Sequence, residues 1–82
     1  MIVAARVHQF EIAGESVIEE CDGTVHECMS VCAISPTGAE IWLHIDEDTR
    51  ELVAAWRIDG EWTDIDLEQA RDEYADVLYA VC

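Results

Sequence analysis

The sequence contains no lysine. Four arginines stand against nineteen acidic residues, for a formal net charge of −15 over 82 residues. Small soluble domains usually carry a net charge of magnitude about 2–8, so solubility does not demand this excess. Self-repulsion of that size opposes the compact state. A chain so poor in cations cannot hold DNA, RNA or an anionic membrane surface by charge. Long hydrophobic runs are missing too, and no stretch approaches the length of a membrane-spanning helix. The N-terminus lacks the basic segment and apolar core of a signal peptide, so residence in the cytoplasm is the expectation. A glycine-rich phosphate loop and a G-x-S-x-G elbow are likewise missing, which gives no ground for an enzyme or a cofactor.

What is present is a folding sequence. Hydrophobic residues make up 51% of the chain, far more than an acidic disordered tail carries. One domain with a modest core follows from the length. The four cysteines, Cys21, Cys28, Cys32 and Cys82, read as reduced and metal-free without a secretion signal. Cys28 and Cys32 lie four apart on a predicted strand, about 13 Å from one another, too far to share a zinc ion with Cys21, His26 or His44. Asp46, Glu47, Asp48 and Glu51 resemble a fragment of a calcium loop, but the central glycine and the glutamate at position 12 are lacking.

Turn residues divide the chain into short strands. Strands are predicted at about 2–12, with Gly14 as the terminator, then 17–21, 24–34, 39–46 and 51–58. Asp22-Gly23 reads as a two-residue hairpin turn, and Ser35-Pro36-Thr37-Gly38 as a turn closed by a left-handed glycine. Alternation puts Ile41, Leu43 and Ile45 on one face and Glu40, Trp42, His44 and Asp46 on the other. A four-residue loop then sets Ile45 opposite Leu52, Leu43 opposite Ala54, Ile41 opposite Trp56 and Glu40 opposite Arg57. This register puts Leu52, Ala54, Trp56 and Ile58 on the inner face, and Val53, Ala55 and Arg57 outside. A helix is predicted from about 64 to 81, capped by Thr63 with Asp66. Its apolar stripe is Leu67, Ala70, Tyr74, Val77, Leu78 and Val81. The expected fold is α+β: an antiparallel meander of four to five strands packed on one C-terminal helix.

Residues 46–76 hold twelve acids and three arginines. Asp66, Glu68, Asp72, Glu73 and Asp76 fall opposite the apolar stripe. Glu68, Asp72 and Asp76 repeat every four residues, spacing their carboxylates roughly 6 Å apart. With Asp46, Glu47, Asp48 and Asp64 they form the candidate partner-binding surface. A rigid array of this kind can occupy a groove built for phosphates. The outward sheet face has nothing left in the chain to cover it, which makes Trp42 and His44 candidates for self-association in a homodimer.

In size, charge and α+β plan the whole chain resembles the small acidic proteins that phages and mobile elements direct against host defences, the anti-CRISPR proteins and DNA mimics. That resemblance implies a non-enzymatic inhibitor acting in the host cell cytoplasm. Its partner would be a basic nucleic-acid-binding protein such as a CRISPR effector. The alternative is an acidic accessory or halophilic domain whose charge serves solubility, although eight isoleucines and three tryptophans are more core than salt adaptation requires.

Overall fold

The computed structural model describes residues 8–81. Five strands follow one another in the sheet in chain order, every neighbouring pair antiparallel: β1 (Gln9–Glu19), β2 (Val25–Ile34), β3 (Glu40–Asp46), β4 (Leu52–Asp59) and β5 (Glu61–Asp64). Two short helices complete the chain, α1 (Leu67–Glu73) and α2 (Ala75–Val81). The fold is α+β, a meander with its C-terminal helices laid on one face.

The predicted strands at 2–12 and 17–21 become one. Ile12 pairs with Val31 and Gly14 with Ser30, so Ala13 is an extra residue and β1 runs on through a bulge. Gly14, at φ 139°, supplies a backbone that other residues rarely adopt, so the glycine bends the strand instead of ending it. Residues 2–7 of the predicted first strand, and Cys82, lie outside the described residues. Cys21 and Asp22 are turn residues: Gly23 N–H donates to Glu20 O at 2.9 Å and Glu20 N–H to Thr24 O at 2.8 Å. The Ser35–Gly38 turn has the same pattern, with Gly38 N–H donating to Ser35 O at 2.9 Å and Gly38 at φ 89°.

The β3–β4 register departs from expectation at one residue. Ile45 pairs with Leu52, but His44 pairs with Ala54, so Val53 is a bulge. From there Leu43 lies opposite Ala55, Trp42 opposite Trp56, Ile41 opposite Arg57 and Glu40 opposite Ile58. A one-residue shift exchanges the two faces of a strand. Ala55 therefore enters the core, 4% exposed, while Trp56 turns outward and the expected Glu40–Arg57 pair does not form.

The helix also begins later than predicted. Asp59-Gly60 reverses the chain into β5, whose Trp62 pairs with Ile58 and Asp64 with Trp56. Thr63 and Asp64 are thus strand residues. Asp66 caps α1 in their place, its carboxylate accepting from Glu68 N–H at 2.9 Å and Gln69 N–H at 3.2 Å. At Tyr74 the backbone opens to φ −110°, ψ 27°, yet Tyr74 N–H still donates to Ala70 O and Leu78 N–H to Tyr74 O. The helices thus follow each other with a bend. Ala70, Tyr74 and Val77 are buried against Val31, Ala33, Ile41, Leu43, Ile45, Leu52 and Ala55, with Leu67, Leu78 and Val81 at the margin. Burying each large aliphatic side chain contributes about 1.5–3 kcal/mol. No described helix is long and apolar enough to cross a membrane.

Candidate functional site

The nine acids expected to form a binding surface have two different occupations. Asp46 is buried and committed to the fold. Its Oδ1 accepts from Asp48 N–H at 2.7 Å and Thr49 N–H at 2.9 Å, and its Oδ2 meets His26 Nδ1 at 2.7 Å. The backbone bond from Thr49, the His26 contact and the Asp48 bond together hold its carboxyl down at about 2. The same contact raises His26, helped by Glu20 3.5 Å away on the other ring nitrogen. Asp76 fastens α2 to the start of β1: its two oxygens meet His8 N–H at 2.7 Å and His8 Nδ1 at 2.9 Å. Burial pushes Asp76 upward, but the backbone and ring bonds from His8 outweigh it and keep the carboxyl low. Asp66 is the α1 cap.

Glu68, Asp72 and Glu73 point into solvent from α1, and Asp48 and Asp64 are exposed as well. The every-four-residue array therefore keeps Glu68 and Asp72 on the surface, while Asp76 serves the interior. Glu47 sits half-buried among like charges. Glu15 beside it, with burial and then Glu27 and Asp48, raises its carboxyl above the ordinary value.

The outward sheet face gathers residues that sequence reasoning had scattered. Register places Trp42, Trp56 and Asp64 in one row across β3, β4 and β5, and Glu40, Ile58 and Trp62 in the next. Cys32 and Ile34 of β2 continue these rows, as do Glu11 and Gln9 of β1. The His44 ring lies 4.3 Å from Trp56 and is nearly parallel to Trp42, at 6.4 Å and 13°. Trp62 meets Trp56 edge-on at 5.6 Å and 65°. Beneath the rings, Ser16 and Ser30 hydroxyls lie 2.7 Å apart and 3.0 and 2.9 Å from His44 Nδ1. Burial lowers His44, so it rests neutral. In this triangle His44 Nδ1 either donates or accepts, so two of the three contacts are hydrogen bonds at one time; His44 Nε2 is buried without a hydrogen-bond partner, and Ser30 and His44 are 6% and 4% exposed. The triangle fixes the imidazole as a floor for the tryptophans. The β4 bulge created this row, and no sequence signal marked Val53 as its position. The Asp59-Gly60 turn followed by Trp62 was the one cue to β5.

Cys21, Cys28 and Cys32 are free thiols. Cys28 and Cys32 are buried, and that burial raises both above the ordinary thiol value. Among the described residues no group of three or more His, Cys, Asp or Glu side chains could hold a metal ion. No protein family, curated protein or solved structure matches this chain.

Proposed function

We propose that the chain is a non-enzymatic binding protein. It offers carboxylates to a lysine- and arginine-lined groove of a nucleic-acid-binding protein, a CRISPR effector being the kind of target its resemblance suggests. The supporting observation is the set of acids left over from folding: Glu68, Asp72 and Glu73 are exposed together on α1, and Asp48 in the β3–β4 loop and Asp64 on β5 are exposed as well. Arg71 is the one cation on α1. Such an array excludes nucleic acid by occupying the same cationic groove, and the attraction is screened beyond about 10 Å at 0.1 M salt.

The test is displacement. Guide-loaded CRISPR effectors are mixed with labelled target DNA, and binding is followed by gel shift with and without the protein at low and at high salt. Loss of DNA binding that high salt relieves supports the reading. So does its reversal by the triple variant Glu68→Lys, Asp72→Lys, Glu73→Lys. Asp76 is left intact there because it holds His8. An inhibitory triple variant with unchanged potency would refute the role of the helix acids. A protein that unfolds in low salt and displaces nothing is an acidic halophilic domain instead.

A further inference from the structure

The outward face of β3, β4 and β5 combines two chemistries that no apolar partner satisfies together. Trp62 is 60% exposed, and Trp42 and Trp56 are half-buried beside it. Carboxylates alternate with the aromatic and aliphatic groups of this lattice. Asp64 lies opposite Trp56, and Glu40 lies opposite Ile58 and two residues from Trp42 along β3. Directly opposed residues in an antiparallel sheet stand about 4.5–5.5 Å apart, and residues two apart on one strand about 7 Å. Each ring therefore has a carboxylate at the distance spanned by one flat cationic group.

We infer that this face is an arginine-reading surface, on which guanidinium groups of a basic protein stack against Trp62, Trp56 and Trp42 while bonding to Asp64 and Glu40. The inference rests on the basic-partner reading above and gives it a second contact region. Guanidinium suits the lattice because it is planar and stacks on an indole while its N–H edges remain free for a carboxylate. An ammonium group is a compact, strongly hydrated point charge that pairs with the acid and leaves the ring uncovered. The edge-on contact of Trp62 with Trp56 spends the edge of one ring and one face of the other, and the 60% exposure of Trp62 leaves the rest of its surface open.

Charge excludes the other occupants. Among the described residues, no strand residue on the face is a lysine or arginine, so a second copy would set Glu11, Glu40 and Asp64 against acids with no described cation of the face to neutralise them. Net charges of −15 on each copy oppose the same approach. An apolar partner would bury these carboxylates unpaired, at high cost. A partner bearing arginine satisfies rings and acids at once.

The probes are two peptides, nona-arginine and nona-lysine, titrated calorimetrically into the full chain at about 50 mM salt. The wild-type protein is expected to bind nona-arginine at least about fivefold more tightly, since each exposed ring contact contributes about two- to fivefold. Trp62→Ala removes a side chain at the sheet margin, and its fold is checked by amide NMR. It should lower the arginine-to-lysine ratio by about two- to fivefold, the share of one ring, while leaving nona-lysine binding within about twofold. Trp62→Phe should restore part of the ratio. Glu68→Gln, Asp72→Asn, Glu73→Gln together should weaken both peptides alike and preserve the ratio. A ratio unchanged in a folded Trp62→Ala variant overturns the inference and leaves the basic-partner reading standing. So does a ratio lost only with the helix acids. If neither peptide binds at low salt, both fail. A wild-type dimer that Trp62→Ala converts to monomer in light scattering assigns the face to a second copy and also overturns it.

Discussion

The two faces of the sheet have opposite characters. On the inner face, Val31, Ile41, Leu43 and Ile45 are at most 1% exposed and are closed over by Ala70, Tyr74 and Val77 of the helices. On the outer face the largest groups are tryptophans, interleaved with carboxylates and floored by a histidine held between two serines. The inner face needs apolar area and tolerates apolar residues of similar volume. The outer face keeps polar groups beside rings, so less of its apolar area is withdrawn from water. Position on one face or the other, not residue type alone, decides which job a side chain does.

The sharpest way to break this contrast is a pair of neighbours in β4. Ala55→Asp places a charge without a partner against Leu43 and the helices, and should cost at least about 3 kcal/mol, a large part of the 5–15 kcal/mol typical of a small domain. Ala54→Asp, on the outer face, should cost less than about 1 kcal/mol. Chemical denaturation measures both. The regular register without the Val53 bulge requires the reverse order.

The next test uses pH. His26 is raised by Asp46, so its contribution is complete below about 6.5, its unfolded value, and disappears as pH rises through the folded value. His44 is lowered by burial and has the opposite sign: its contribution is complete above about 6.5 and is lost as pH falls through the folded value. Stability of His26→Ala relative to the wild type should therefore improve from pH 5 to 8, and that of His44→Ala should worsen. Asp46, at about 2, adds stability above about 3.8 that is lost as pH falls toward its folded value. Denaturation curves of the three proteins at several pH values check the signs.

A smaller effect separates acids at work in the fold from acids at the surface. Asp66→Ala removes the α1 cap and should cost about 1 kcal/mol. Glu68→Gln, Asp72→Asn, Glu73→Gln should leave the melting temperature unchanged or slightly higher, because it removes like charges four residues apart. A large loss in the second variant would mean that the helix carboxylates are structural after all.

The smallest expected difference is one of rate. In the folded protein, iodoacetamide should modify exposed Cys21 first and leave Cys28 and Cys32 for much later, since burial shields both thiols and disfavours their thiolates. Mass spectrometry of timed aliquots reads the order. Equal rates at all three would show that the outer face opens readily.

Much of this protein was legible in its residues. Alternation at Ile41, Leu43 and Ile45, the Ser35–Gly38 and Asp59-Gly60 turns and the stripe through Ala70, Tyr74 and Val77 each follow from local rules of period and backbone, so the meander and its helical cover could be read directly. The acid excess was equally plain. The assignment of individual residues was not local. One inserted residue, Val53, exchanged the faces of Ala55 and Trp56, and a bulge has no compositional mark because its energy comes from how the whole strand fits its neighbours. Asp46 and Asp76 looked like members of a surface array until His26 and His8, twenty and sixty-eight residues away in the chain, came within hydrogen-bonding distance. Sequence by itself determined the elements, their order and the sign of the charge, since these depend on neighbours along the chain. Only the tertiary structure decided which carboxylates are spent on folding and which tryptophans share a face, because both depend on partners brought together by the register of the sheet.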